Sequence, residues 1–452
     1  MRGIDRIDEI IDAALRSAEA DEADAVVVRA DRNITRFANS TIHQNMSERS
    51  AELTVRVVVR NRIGVASTTS IDRESIERAT KLARDMAERS DPAEGFRGLV
   101  SIDEEPPRLG TIDEATAALS PRSKAEELKR MFDLGRSGGC SFAGSFTTGT
   151  LEIATGNSHG LRRQARTTSA DATVIALGSG DDSGYATRCS RSSAGVGVEA
   201  LGREAADKAR LFSDQRRDIE PGSYDVILEP AALAEVFDWM NMIAFSGTSF
   251  EDGSSFFVGN LGKSLLSDTL TLTDDALDES FLPFPFDMEG VGKRRVELVD
   301  RGTLKGVMVD KIMSDRLGVP LTGSAAGLGS SEHGMALHLS MAPGSATREE
   351  LIASTERGIW VTRFNYVNGL IDPKAAVMTG MTRDGTFLIE DGSIVARLPN
   401  LRWTQSMVEA FSRIDGLTKE RRIIGTWWNP TGGTIAPTTR IRGWNVTGVQ
   451  KR

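Results

Sequence analysis

The stretch Tyr224–Phe257, YDVILEPAALAEVFDWMNMIAFSGTSFEDGSSFF, sets the reading of the whole chain. Val226, Ile227 and Leu228 make a short apolar run of the kind a buried strand uses. Pro230 suits the first position of a helix, where its missing N–H costs nothing. Leu233, Val236, Phe237, Met240 and Ile243 then recur at helical spacing and form one apolar face. The Gly/Ser-rich loop GTSFEDGSSF follows. A buried strand that feeds a helix ending in such a loop is a place where a cleft opens. Ser246, Thr248, Ser249, Ser254 and Ser255 are candidates to line it, although a Gly/Ser loop also serves simply as a turn.

Working back toward the N-terminus, residues 4–20 have helical spacing, with Ile4, Ile7, Ile10, Ile11, Ala14 and Leu15 on one face. Strand-like runs follow at 24–30, 33–39, 51–60 and 63–68, with Asn61-Arg62 as a hairpin turn. A helix is expected over 73–89, with Ile76, Ala79, Leu82, Ala83 and Met86 inward. Residues 90–111, which include DPAEG and EEPPRLG, have the composition of a linker.

The same order then returns. Ser120-Pro121 starts a helix, strands are expected at 140–147, 149–155 and 170–177, and a helix closes the unit at 198–211. Asn39-Ser40 precedes AELTVRVVV by about the interval at which Asn157-Ser158 precedes ADATVIALG, which suggests duplication of one α/β unit. Chance similarity of two α/β layers stays open. From 219 onward alternating apolar residues and D-G or N-G turns dominate, interrupted by helices expected at 347–359 and 404–413. The fold class is therefore α+β: two related N-terminal α/β segments (1–112 and 113–218) followed by a β-rich C-terminal domain (219–452).

The totals exclude several classes of function. A chain of 452 residues with 39% hydrophobic and 26% charged residues is an ordinary globular protein of more than one core. Its net charge of −9 argues against nucleic acid as a partner, because phosphate contact needs a basic face. No run reaches the ~18 apolar residues of a membrane span, so no membrane association is expected. The opening MRGIDRIDEI has no apolar signal core. The two cysteines, Cys140 and Cys189, form neither a disulfide framework nor a metal spacing. Together these features point to the cytoplasm.

Chemistry is scarce. The chain has four histidines, His43, His159, His333 and His338. Glu332, His333 and His338 form one local cluster, but in an alternating run the spacing of five puts the two imidazoles on opposite faces of a strand. There is no G-x-S-x-G elbow, and GNLGKS at 259–264 is too short for a phosphate-binding loop. No cofactor is expected.

Several blocks in fixed order carry a resemblance. They are GNSHGLRR (156–163), SFFVGNLGKSLLSD (255–268), FDMEGVGKRRVELVDRGTLKGVMVDKIMSDRLGVPLTG (286–323) and TGMTRDGTFLIEDGSIVARLPNLRWTQSMVEAF (379–411). Over nearly its whole length the chain resembles the TldD/TldE (PmbA) family, the "modulator of DNA gyrase" proteins. The resemblance implies that TldD-type chains carry His-Glu-x-x-x-His on the helix after Pro230, plus a Cys near the C-terminus, to hold zinc and a general base. Anchored on Pro230, those positions are occupied here by Glu235, Val236 and Met240, and no Cys follows Cys189. The chain therefore resembles a TldE/PmbA-type subunit, expected to have no catalytic residue or metal of its own.

The resemblance implies a TldD-type zinc peptidase subunit as partner and unfolded peptide as substrate, held in a cleft by strand addition. Thr379, Gly380, Thr382 and Arg383 are further candidates to line that cleft, though a turn into the following hairpin would also explain them. Two alternatives stand beside this reading. One is a divergent stand-alone hydrolase or biosynthetic enzyme, built around Glu332, His333 and His338. The other is a homodimer that binds peptides without cutting them.

Overall fold

The computed structural model describes residues 6–101, 104–426 and 428–450. It begins with α1 (Ile7–Ser17), β1 (Glu22–Ala38), β2 (Thr41–Val59), β3 (Arg62–Thr68) and α2 (Arg73–Arg89). Ile4, expected on the face of the first helix, lies outside the described residues. The second unit is α3 (Glu114–Ala117), α4 (Pro121–Ser137), β4 (Ser141–Asn157), β5 (Arg162–Leu177), β6 (Ser183–Ser190), α5 (Ser193–Val196) and α6 (Val198–Arg210).

The two units share one antiparallel sheet of order β3-β2-β1-β4-β5-β6, joined along β1–β4 from Asp24↔Asn157 to Phe37↔Gly144. The expected pairs 24–30/33–39 and 140–147/149–155 are each a single long strand, because Asp31 and Arg32 near the surface and the buried Thr148 continue the ladder between the apolar runs. The strand expected at 170–177 starts earlier, at Arg162. Strand β6 was not anticipated; its apolar content is small.

Each unit brings its closing helix onto its edge strand through a glycine. A Cβ on Gly64 would lie 2.0 Å from the Ala83 carbonyl oxygen and 2.4 Å from the Ala87 nitrogen. A Cβ on Gly184 would lie 2.1 Å from the Ala205 carbonyl and 2.5 Å from the Ala209 nitrogen. Any larger residue would push strand and helix apart. The strand order of the second unit mirrors that of the first about the β1–β4 seam, and the close approach recurs in both. The hairpin turn between β2 and β3 is Arg60-Asn61, both at positive φ (49° and 59°), one residue earlier than expected.

The C-terminal part adds β7 (Gly222–Leu228), α7 (Pro230–Met240), α8 (Gly247–Glu251), β8 (Leu272–Asp275), β9 (Arg295–Asp300), β10 (Thr303–Leu304), α9 (Lys311–Leu317), β11 (His338–Met341) and α10 (Arg348–Ala353). It ends with β12 (Arg357–Asp372), β13 (Val377–Glu390), β14 (Ser393–Arg397), β15 (Leu401–Ser406), α11 (Met407–Ser412), β16 (Ile414–Gly425) and β17 (Gly433–Val449). Strands β7, β12, β13, β15 and β17 pair in turn, and β17 returns to β7, so this part of the sheet closes on itself. Trp403, Trp444 and Phe364 stack within its core.

The helix expected over 347–359 stops at Ala353, because Arg357 onward pairs with β13 and β7. The one expected over 404–413 starts at Met407, since Leu401–Ser406 is a strand of the closed sheet. No helix among the described residues is long and apolar enough to cross a membrane.

The face of the N-terminal sheet away from its helices packs on the C-terminal domain: Val26, Leu151 and Ile153 meet Phe284, Phe286 and Leu328. The segment read as a linker is a packed strap. Phe96 and Leu99 join Val58 and Ile312 in one cluster, and Val100 joins Leu161 and Val291 in another.

At the centre of the inter-domain face, Arg56 on β2 donates to Asp24 on β1 (3.0 and 2.6 Å) and lies 2.8 Å from Glu289 of the C-terminal domain. All three side chains are buried. Glu289 also accepts the Lys311 backbone N–H at the start of α9 (2.8 Å). Burial pushes Glu289 up to about 8 against the pull of Arg56. Removing one member of such a group leaves an uncompensated buried charge. Arg56→Ala is therefore expected to destabilise the protein by about 3–5 kcal/mol in urea unfolding. The apolar triple replacement R56M/D24L/E289M is expected to recover most of that loss.

Candidate functional site

Helix α7 has two faces. Leu233, Val236, Phe237 and Met240 are buried in the large C-terminal core. Ala231, Ala234, Glu235, Asp238 and Trp239 line a cavity of about 550 Å³. The helix starts as the sequence suggests, with Pro230 at its first position. It ends in a π-helical turn, Asn241–Phe245, pinned by a reciprocal pair of hydrogen bonds between the Asn241 side chain and the Ala336 backbone (3.0 and 2.8 Å). That turn brings Met242 into the cavity wall. Such π turns recur at functional sites.

The other walls come from distant parts of the chain. Tyr185 is on β6 of the N-terminal sheet and Arg363 on β12, while Ile424, Gly425, Thr426 and Trp428 lie at and after the end of β16. The Arg363 guanidinium stacks on the Tyr185 ring at 4.5 Å and donates to Asp384 (2.7 Å from Nε). Burial raises Glu235 above the ordinary carboxyl range, with Arg363 pulling the other way. Burial pushes Asp238 up to about 7; the Trp428 indole that hydrogen-bonds it lowers it, and the Glu235 charge raises it. Just behind Gly425 lie Cys189 and Asp171, whose Sγ and Oδ2 would be 3.2 and 3.8 Å from a Cβ placed there. Burial pushes the Cys189 thiol up to about 12 and Asp171 up to about 6. The thiol is thus a neutral S–H.

The three positions singled out on this helix separate. Glu235 reaches the cavity, whereas Val236 and Met240 point into the core. At about 100° per residue, positions 235 and 240 lie about 140° apart around the helix.

The serines of the following loop bond to their own backbone. Ser246 caps α8, accepting the Ser249 N–H (3.2 Å) and donating to the Met242 carbonyl (3.1 Å). Ser254 donates to the Ser249 carbonyl and Ser255 to that of Ala244, while Thr248 donates to that of Ser331. Thr379 donates to the Trp403 carbonyl, and Gly380 lies against the Trp403 ring. Thr382 is buried and accepts from Thr386 and Leu401 N–H, and Arg383 is exposed on β13. None of Ser246, Thr248, Ser249, Thr379, Gly380, Thr382 and Arg383 is among the residues lining this cavity.

The histidine cluster does not converge. His333 pairs with Asp310 (2.8 Å), while His338 is fully buried with Nε2 3.0 Å from the Thr431 carbonyl oxygen. Among the described residues no group of three or more His, Cys, Asp or Glu could hold a metal ion.

Asp238, Arg363, Tyr185 and Trp428 escaped the sequence reading. A signal for the first was present: Ala231, Glu235, Asp238 and Met242 follow the 4-3-4 spacing of a second helical face, opposite the apolar one. The others reach the site only through the sheet topology.

Models of three family domains match the chain. Residues 23–87 match PmbA/TldA metallopeptidase domain 1, 100–211 the central domain and 221–448 the C-terminal domain. The chain belongs to the PmbA/TldD metallopeptidase family. It is 27% identical over 287 residues to the metalloprotease PmbA of Escherichia coli O157:H7, covering 61% of this chain and 63% of that one. It is 23% identical over 258 residues to a metalloprotease of Methanothermobacter thermautotrophicus, covering 56% of each. The aligned stretches thus span a little over half the length of these two relatives. The crystal structure of TldE from Thermococcus kodakarensis superposes with a TM-score of 0.87 at 20% identity, covering 97% of this chain and 100% of that one. That likeness concerns the fold.

The zinc ion implied for TldD-type members of the family does not fit the residues present here. No imidazole or thiolate lines the cavity, and two of the three family positions are apolar and buried.

The raised Asp238 has a consequence for stability. Its folded value of about 7 lies above the ordinary 3.8. The folded state therefore keeps a proton that the unfolded chain releases, and stability falls as pH rises between these values. Asp238→Asn removes that fall and can still accept the Trp428 hydrogen bond. The variant is expected to be more stable than the parent by about 1–3 kcal/mol above pH 7. In denaturant unfolding across the pH range, the difference should vanish below about pH 4.

Proposed function

We propose that this chain is a non-catalytic, TldE/PmbA-like subunit that pairs with a zinc-holding TldD-type chain and helps enclose a cleft for unfolded peptide. The observation that carries the reading is the state of α7. The helix keeps its place beside a cavity, yet Glu235, Val236 and Met240 occupy the positions where the family resemblance implies ligands and base. Such a chain contributes walls and binding surface, while the partner supplies the metal and the water it activates. Extended peptide held through main-chain hydrogen bonds would be taken with little sequence preference.

The complex is placed in the cytoplasm, a reading supported by two unpaired, buried cysteines that fit a reducing compartment. Nothing in the charge balance suggests nucleic acid as a ligand.

Co-expression with the TldD-type chain of the same source tests this. The two chains are expected to co-purify, zinc to arrive only with the second chain, and cleavage of an unfolded model peptide such as reduced, alkylated casein to need both. A correctly assembled pair without activity overturns the proposal, as does peptide cleavage by this chain alone.

A further inference from the structure

The α7 cavity presents two half-buried carboxyl groups without a matching cation. Glu235 and Asp238 stand one helical turn apart, and neither makes an ion pair among the described residues. Arg363 is the basic residue in the lining, and its guanidinium is committed to Asp384 and to the face of Tyr185. Behind the Gly425 wall, the half-buried Asp171 carboxyl likewise has no side-chain hydrogen bond or ion pair among the described residues. Carboxylates are seldom buried unless a cation answers them, because desolvating an unpaired charge is costly. Several buried carboxylates of this protein are answered in this way, Asp24 by Arg56, Glu229 by Lys208 and Asp182 by Arg216, although the fully buried Asp274 has no ion pair among the described residues. Glu235 and Asp238 differ in facing an open volume large enough for a side chain.

The nature of the walls narrows the missing cation. Trp239, Trp428 and Tyr185 present aromatic surface, and Met242, Met335 and Ile424 present apolar surface. Aromatic faces attract organic cations. Hard metal ions instead seek a shell of several oxygens that these walls do not offer. We propose that the α7 cavity binds a protonated primary amine on an apolar stem, with the ammonium between Glu235 and Asp238 and the stem along Met242, Met335 and Ile424. In a peptide this is the side chain of lysine. The inference depends on the proposed function only in taking the amine to belong to a peptide. It requires no partner chain.

Calorimetric titration of the purified chain at pH 8 with Nα-acetyl-lysine amide, and with its norleucine counterpart, tests it. The two probes share a stem and differ in the ammonium. The lysine probe is expected to bind saturably, and at least ~10-fold more tightly than the norleucine probe. The double variant Glu235→Gln/Asp238→Asn is expected to remove that preference while leaving thermal unfolding cooperative. If the double variant does not fold, Glu235→Gln alone decides, with a loss of at least ~5-fold expected. Equal affinity for the two probes overturns the proposal, and so does absence of saturable binding of the lysine probe. A preference that survives the substitutions, or displacement of the lysine probe by zinc chloride, also overturns it. Because the measurement uses this chain alone, its failure leaves the pairing with a TldD-type chain standing, and failure of that pairing leaves this result intact.

Discussion

Arg56 is the constraint on which the arrangement of the domains depends. Its guanidinium is fully withdrawn from water, so it must be answered by carboxylates fixed in place, and these come from two parts of the fold. Asp24 is its cross-strand neighbour in the N-terminal sheet, and Glu289 belongs to the C-terminal domain. Neither the sheet nor the C-terminal domain satisfies the group alone. Apolar packing of Val26 and Ile153 on Phe284 and Phe286 supplies contact area that several relative positions could bury. The charge group accepts only one of them, since a buried charge tolerates little displacement from its partner. Glu289 also holds the start of α9 through the Lys311 N–H, and the neighbouring Asp287 accepts N–H groups from Val291 and Ala325. The register of the inter-domain face is thereby carried into the loops of the C-terminal domain.

The two N-terminal units differ where the site needs them to. In the first, the helix residue beside Gly64 is Met86, which is exposed; in the second, the residue beside Gly184 is Lys208, which is buried. The Lys208 ammonium bonds Glu229 at 2.6 Å, and Glu229 is the residue immediately before α7. Lys208 also bonds Glu204, which Arg422 of β16 grips with two further bonds. The second unit therefore fixes the entry to α7 and the strand that leads to the far cavity wall. The first carries Arg56. Two units of similar order thus divide between them the holding of the domains and the placing of the helix.

The sequence made much of this legible wherever a pattern was local. The span of helix α2 and the start of α7 follow from apolar spacing and Pro230, although Leu82 and Met86, expected inward on α2, are exposed, and the two-unit order follows from the recurrence of helix and strand signals. Boundaries failed where tertiary pairing overrode local preference. Residues 354–359 look helical in isolation, yet Ile359 and Trp360 complete β12 because β7 and β13 flank them. The site was half legible. Glu235 could be found because one helix can be read against a motif. Tyr185, Arg363 and Trp428 could not, because β6, β12 and the end of β16 lie far apart in the chain and meet only once the sheets have formed. The Gly/Ser loop stays out of the walls of this cavity for a physical reason: its hydroxyls satisfy the backbone of a tight turn, which is what such residues most often do.

The two faces of α7 explain how a helix can lose one chemistry without losing its place. Leu233, Val236, Phe237 and Met240 are each buried, and each contributes about 1.5–3 kcal/mol by leaving water. That face alone anchors the helix against the closed sheet, whatever the opposite face displays. On the cavity side Ala234 is buried and Trp239 packs against the same core, whereas Glu235 and Asp238 are half-buried in the cavity wall. Folding alone would favour replacing Glu235 and Asp238 with neutral residues, since burial raises both carboxyls and a raised carboxyl opposes stability near neutral pH. Two half-buried acids side by side on the cavity wall, which folding does not favour, are what the proposed ammonium ligand would answer.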